Sequence, residues 1–493
     1  MTAQPNRLPV FLGHAAIIFA IALVLTAPHF LYGYPSGQSV TFNVPALHFF
    51  FQQFAAGELY PRWLTDYSTG MGAPVFCYYA PLPFYFASLF GLTGCFNCSA
   101  PMLLSISHLA LIALSGIAFY FWCSRFTGRT ICLVASLVYV LLPYHYLDFE
   151  IRNAVGEGMS FVWLPLIFNA LHGVSTSNRI SARYIVLTGM AYAGLILTHL
   201  PSAVLIIPFM AIYVGVFVTR RSFVQRFLSL AAVGAIGVAL SAVYIIPALT
   251  MRDYLQPDIW LNQAGTHYMP EYSLLFSGTT PKFGMLVYAD IAIATMAALG
   301  VVGAMVLINR LSGASYLPVK DENRRMLVAA LISFALSWLL MNVVSREIWL
   351  NFEILRQVQF PWRLGLEVDF WAASAIAVGL SNIARTTAAN KQRWAQILRP
   401  MIYLTVILIP VTAVAAHMIK YRGSLTEGAW AGDMPELFWV PDEYHSIWAV
   451  ESTAFKEVAS YSVFRTHIAT LPQISIEHSL IEGQKTHQRS IPG

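Results

Sequence analysis

Charge is scarce in this sequence: 11% of its 493 residues are Asp, Glu, Lys or Arg, against roughly 25% in ordinary soluble domains. With 57% hydrophobic residues and a mean hydropathy of +0.61, the composition is that of a membrane protein. Cysteine is scarce as well. Cys77, Cys95, Cys98, Cys123 and Cys132 are too few and too scattered for a disulfide framework. Cys95 and Cys98 form one CxxC without the second pair or His-rich run that would complete a zinc site, which leaves a disulfide or two free thiols and no metal ligands in view. The chain also lacks a P-loop, a GxGxxG fingerprint and an HExxH pair, so no nucleotide motif supports nucleotide-sugar or ATP use on the cytoplasmic side. The net charge of +5 does not imply nucleic acid, because basic residues in such a chain serve the cytoplasmic ends of helices.

What is present is a series of long apolar runs. A helix needs about 20 mostly apolar residues to cross the hydrocarbon core. Runs near 10–32, 101–123, 130–147, 157–173, 184–198, 201–218, 227–249, 286–308, 326–345, 364–383 and 400–418 predict an all-α polytopic membrane protein with about eleven transmembrane helices. No small-residue cleavage site follows the first run, so it reads as a membrane helix and not as a removable signal. The stretch 81–94, PLPFYFASLFGLTG, is apolar but short and opens on two prolines; it reads as an interfacial helix in the first outer loop, 33–100.

Charge orients these runs. With 81–94 left out of the span count, Lys and Arg alternate between rich and poor loops: sixteen in one set, seven in the other, and six in the C-terminal tail. The rich set marks the cytoplasm, which places the N-terminus inside and the tail, 420–493, outside. That tail is polar, with a strand-like alternation around 461–476 and a last dozen residues that read as disordered. Acidic residues follow the opposite pattern. Glu58, Asp66, Asp148, Glu150 and Glu157 fall outside, and the in-span Asp290, Glu367 and Asp369 fall in the first turns at outer ends. A transporter gathers its ionisable residues near the bilayer centre. Polar chemistry collected at the outer interface suits an enzyme acting on a lipid-linked substrate.

The first loop contains AAGELYPRWLTDYSTGMGAPVFCYYAPLPFYFASLFG, residues 55–91. This segment resembles the first loop of the type C (GT-C-like) membrane glycosyltransferase superfamily. More narrowly, it resembles bacterial multi-pass proteins labelled as a 6-pyruvoyl-tetrahydropterin synthase-related membrane domain. The resemblance continues through LLPYHYLDFEIRNAVGEGMSFVWLPLIF (141–168), LTHLPSAVL (197–205) and QVQFPWRLG (357–365). It implies a 1–419 transmembrane domain in the inner membrane, a polyprenyl-phosphate-type sugar donor, an acceptor outside the cytoplasm, and a carboxylate base in the first outer loop. The stretch just after the first span, GYPSGQSVTFNVPALH (33–48), holds no Asp or Glu where that carboxylate is expected. The pterin enzyme's zinc-binding histidine cluster does not stand out in the sequence either.

Asp66, beside a Gly-flanked turn, is therefore the first candidate for a catalytic carboxylate, set against a role in capping the turn or pairing with Arg62. Glu58 and Glu157 follow as further candidates. For substrate binding, Arg152 offers a fork matched to phosphate oxygens, set against an ion pair with Glu157 or Asp148. Arg363 lies where an outer loop re-enters the membrane, and snorkelling is its plain alternative. Arg62 and His199 complete the substrate-binding set, although His199 reads more readily as a structural hydrogen-bond donor. The expected partners are a lipid-linked sugar donor and membrane lipids, with oligomeric state undetermined and a divalent cation left open. Two other functions fit the same residues: a transporter or flippase of lipid-linked saccharide, and a non-catalytic scaffold in envelope-polysaccharide assembly.

Overall fold

The computed structural model describes residues 7–421, apart from 36, 68–71, 95–97, 178, 219–221, 252–269, 313–318 and 390–392. The expected C-terminal tail lies outside the described residues from 422 onward. In chain order the helices are α1 (Arg7–Tyr32), α2 (Val40–Ala55), α3 (Leu82–Thr93), α4 (Ala100–Cys123), α5 (Arg129–Leu141), α6 (Pro143–Glu150), α7 (Val155–Thr176), α8 (Ala182–Thr198), α9 (Leu200–Phe217), α10 (Phe223–Leu240), α11 (Ala242–Thr250), α12 (Lys282–Leu311), α13 (Asp321–Met341), α14 (Gly365–Ala389) and α15 (Arg393–Tyr421). Short helical turns fill several of the gaps. Among the described residues, pairing of β type is confined to two isolated bridges, Leu64 with Ala73 and Leu275 with Asn342. The protein is an all-α multi-pass membrane protein.

Among the described residues nine helices, α1, α4, α7, α9, α10 and α12–α15, are long and apolar enough to cross a membrane. The bent pair α5–α6 adds a tenth if it counts as one span. The 48° bend has a local cause. Leu142 precedes Pro143 and is held at ψ 138°, because the proline ring disfavours a helical conformation in the residue before it. The remaining expected span, 184–198, corresponds to α8, whose 17 residues are fewer than the roughly 20 that cross a hydrocarbon core. It ends at His199, whose extended backbone (φ −158°, ψ 100°) leads directly into α9. The expected run 227–249 also divides, into α10 and α11. At the break, the Ser241 hydroxyl donates to the Gly237 carbonyl, a back-bond that bends helices.

Burial sorts the helices. The most apolar stretch of the span 361–389, which contains α14, is wholly buried, against 17% for that of α1 and 22% for those of α10 and α15. So α14 is the central staff around which the others pack, and the other three turn most of their surface outward. Its sequence, rich in Ala, Ser and Gly, allows that density. At Gly379 a Cβ would lie 2.7 Å from Val301 Cγ1 on α12, so the two helices approach too closely for a larger residue.

The first loop folds on a core of its own. Phe50, Phe76, Phe84 and Tyr67 are fully buried together, and burying each such ring is worth about 1.5–3 kcal/mol. Gly57 (φ +102°) ends α2 in a conformation that L side chains rarely adopt. The Tyr85 hydroxyl then donates to the Leu59 carbonyl at 2.6 Å and the Tyr60 hydroxyl to Phe76 O at 3.0 Å, fixing the turn against α3. This unit docks on α11 through Tyr244, whose hydroxyl donates to Tyr78 O at 2.8 Å. Cys98, at the loop's end, is disulfide-bonded, while Cys77, Cys123 and Cys132 are free and buried.

One charge sits deeper than the sequence suggests. Helix α12 begins at Lys282, four residues before the expected boundary, so Asp290 lies in its third turn and not its first. There its Oδ2 is 3.0 Å from His417 Nε2 on α15, because a buried carboxylate needs a partner.

Candidate active site

The α6–α7 joint gathers a cluster of buried charge. Tyr144, Asp148 and Arg152 follow one another at four-residue spacing, so they line one side of α6 and its continuation. Glu157 enters from the first turn of α7, and Arg363 from the short turn Pro361–Leu364 that leads into α14. Arg152 Nη1 donates to Asp148 Oδ1 and to the Tyr144 hydroxyl at 3.1 Å, and it forms an ion pair with Glu157 Oε2 at 2.9 Å. Arg363 Nε reaches the same Glu157 Oε2 at 3.2 Å, and Tyr144 donates to Glu157 Oε1. Asp148, Arg152 and Glu157 are 0%, 3% and 1% exposed, so the network stands almost wholly out of water.

Two guanidinium groups balance two carboxylates. That balance is what makes the burial tolerable, since an unpaired ion in such a place costs several kcal/mol. Burial works against the charge on Arg152, yet Glu157 and Asp148 outweigh it and hold the guanidinium more firmly protonated than a free one. Satisfaction is incomplete: Asp148 Oδ2 and Arg152 Nε are buried without a hydrogen-bond partner. Glu157, by contrast, has both oxygens engaged.

The loop between α6 and α7 is locked in place by the first loop. Ser39 N donates to Arg152 O at 2.9 Å, Gln38 N to Ile151 O at 3.2 Å, and Asn43 Nδ2 to Asn153 O at 2.6 Å. Asn153 takes a left-handed conformation (φ +50°), which asparagine tolerates better than most residues. At Gly37 a Cβ would lie 1.7 Å from Asn153 Oδ1, so that contact requires glycine.

On the accessible side stand Arg363, with 11% of its side chain exposed, and the half-buried Tyr79 and His199. Burial raises the Tyr79 phenol to about 12, with Arg363 and Arg152 pulling the other way. Burial lowers the His199 imidazole to about 3, and Arg363 adds to the effect. His199 Nδ1 pairs with Ser202 Oγ at 2.7 Å, and a Cβ on Gly156 would meet both Thr198 O and the His199 ring. His199 is thus a neutral, packed ring at the edge of the network.

Of the seven residues singled out from sequence, the structure brings together Arg152, Glu157 and Arg363, with His199 alongside. Asp66, Glu58 and Arg62 belong to the first loop. Asp66 is exposed and bonded to Thr65 Oγ1 at 3.4 Å, and Glu58 is exposed and accepts from Gln53 Nε2 at 2.6 Å. Arg62 lies over the Tyr60 ring at 4.3 Å and donates to Val243 O at 3.3 Å, tying the loop to α11. Sequence reasoning treated Asp148 only as a pairing partner and passed over Tyr144 and Tyr79. The four-residue spacing of Tyr144, Asp148 and Arg152 was the signal available for the first two; Tyr79 comes from a distant segment and left none.

The fold and this buried network define a multi-pass helical membrane protein with a charged site where its membrane helices meet the first loop. No protein-family model matches the chain, so the narrower pterin-related label rests on its motifs alone. No curated protein matches it either. Among solved structures it is similar to the arabinofuranosyltransferase AftD from Mycobacteria, at 18% identity and TM-score 0.49. That likeness covers 83% of this chain and 27% of that one, so this chain spans about a quarter of its length. It is also similar to the archaeal oligosaccharyltransferase AglB from Archaeoglobus fulgidus, in complex with an inhibitory peptide and a dolichol-phosphate, at 13% identity and TM-score 0.46 over 92% of this chain and 59% of that one. Both are sugar transferases by name, and neither likeness assigns a role to any residue here.

Proposed function

We propose that the chain is a membrane glycosyltransferase-like protein that moves a sugar from a polyprenyl-phosphate-type lipid donor to an acceptor outside the cytoplasm. The observation that carries this reading is the Asp148–Arg152–Glu157–Arg363 network, in which one carboxylate oxygen is buried and free while Arg363, paired through Nε with Glu157 and through Nη1 with Val358 O, is the most exposed of the four at 11%. Arg363 and Arg152 offer planar forks that match phosphate oxygens. Glu157, saturated by both arginines and Tyr144, positions them. Asp148 Oδ2 is the free carboxylate oxygen of the network and takes the acceptor's proton. The acceptor oxygen bonds to the anomeric carbon as the carbon–oxygen bond to the phosphate breaks. The electron pair leaves on the lipid phosphate, where the arginines stabilise its new charge. Asp66, Glu58 and Arg62 are then groups that meet the acceptor from the first loop.

The disulfide at Cys98 supports an extracytoplasmic first loop, since such bonds persist outside the reducing cytosol. A second reading, a non-catalytic scaffold, draws on the complete burial of Asp148 and the full engagement of Glu157. Turnover of polyprenyl-phosphate sugars by the purified protein separates the two. The enzyme reading expects measurable transfer that falls about 10²–10⁴-fold in Asp148→Asn. Transfer unaffected by that change removes Asp148 as the base, and no transfer from any such donor leaves the scaffold.

A further inference from the structure

Glu150 lies two residues beyond Asp148 on α6 and, at about 100° per residue, faces the opposite way. It meets two histidines from distant parts of the chain. His29 comes from the last turn of α1 and His108 from the third turn of α4. All three are buried, at 3% exposure for His29, 0% for His108 and 8% for Glu150, and one donor atom from each lies within 4.8 Å of the others. His29 Nε2 is 2.5 Å from Glu150 Oε2, and His108 Nε2 is 3.1 Å from the Tyr34 hydroxyl. Each residue nevertheless keeps one buried atom without a partner: His29 Nδ1, His108 Nδ1 and Glu150 Oε1.

We propose that His29, His108 and Glu150 form a binding site for one divalent transition-metal ion of the zinc class, joining α1, α4 and α6. Three unmet polar atoms on three converging residues are more than a buried His–Glu pair explains, because that pair leaves His108 Nδ1 unsatisfied. Two imidazoles and one carboxylate make a zinc ligand set with one position left for water. The Tyr34 hydroxyl on His108 Nε2 fits as outer-shell support and leaves Nδ1 of that ring to ligate. The ion takes the place of the hydrogen between His29 Nε2 and Glu150 Oε2, and because tetrahedral donors about an ion at 2.0–2.1 Å stand roughly 3.3 Å apart, that contact opens as the ion enters. The ion holds one face of α6 while the charged network occupies the other. Sequence alone did not suggest it, because the ligands are separated by 79 and 42 residues.

The test uses the full chain, purified in detergent, stripped with chelator and then given zinc chloride. The wild-type protein is expected to retain about one zinc per chain after dialysis and to show a raised thermal midpoint with zinc but not with magnesium. His108→Gln and Glu150→Gln are expected to bind at least tenfold more weakly, while His48→Gln, in the first loop, binds as wild type. Should the variants not fold, X-ray absorption at the zinc edge of the wild-type protein gives a second measure: nitrogen and oxygen ligands at about 2.0–2.2 Å and no sulfur. No retention by the wild-type protein, undiminished binding by both folded variants, or a zinc shell that contains sulfur overturns the assignment. None of these readouts depends on sugar transfer, so its failure is separate from failure of the enzyme reading.

Discussion

The α6–α7 joint and the first loop carry similar residues under opposite conditions. In the joint, Asp148, Arg152 and Glu157 are sealed from water and bound to one another. In the loop, Glu58 and Asp66 are exposed around an aromatic core that holds its shape without them. Charge in the joint is therefore part of what keeps the structure together, and each ion there depends on its neighbours. The loop's two exposed carboxylates are dispensable to the fold, so any importance they have must come from what they touch outside the chain.

The largest effect should follow from Arg152→Met. It leaves Asp148 with no cation and Glu157 with Arg363 alone, and breaking a buried pair from one side costs about 3–5 kcal/mol. Thermal unfolding in detergent should show the loss. A midpoint close to that of wild type would mean that water reaches the joint and that the two regions do not differ in the way described. Next comes Gly37→Ala, which strikes the seam between them. Its Cβ would overlap Asn153 Oδ1 and approach Ile151 O within 2.7 Å, and forcing an atom into a packed contact costs about 1–3 kcal/mol. A cost no greater than for an exposed loop substitution would show that the first loop and the joint are not locked together.

The sequence made the membrane helices legible because a span leaves about 20 consecutive apolar residues, a signal that survives without any tertiary knowledge. Its failures were local. The split at Ser241 and the early start of α12 depend on one back-bond and on four residues of mixed polarity. The site was half legible. Arg152, Glu157 and Arg363 stood out as costly charges near a bilayer, but Arg363 lies 206 residues from Glu157, and no periodicity relates two such segments. Asp66 drew attention through its Gly-rich, aromatic surroundings, which in the structure are the loop's own core and turn. The His29–His108–Glu150 group was invisible because each member, taken singly, is an ordinary polar residue and the three come from separate helices.

A third and smaller effect separates the regions by pH. His199 borders the joint with an imidazole lowered to about 3, chiefly by burial, against about 6.5 for a free histidine. As pH falls below about 6.5 the unfolded chain takes up a proton that the native ring refuses until about 3. Stability is lost across that window and is flat above it. For a half-buried ring the slope is about 1 kcal/mol per pH unit or less. His199→Gln should remove this part of the acid sensitivity, seen as a smaller difference between unfolding midpoints at pH 5 and pH 7.5. An unchanged difference would place the His199 ring in water.

The smallest effect on the fold should come from Asp66→Asn. Its side chain is exposed and, among the described residues, its hydrogen bond is to the adjacent Thr65, so the change in stability should stay within about 0.5 kcal/mol. That expectation makes the variant useful. Because the fold is spared, any fall in sugar transfer reports contact with the acceptor and nothing else, whereas the same fall in Arg152→Met mixes chemistry with unfolding. If Asp66→Asn lost stability on the scale of Arg152→Met, the loop charge would belong to the protein's internal structure, and the division between a sealed joint and an open loop would fail at the loop.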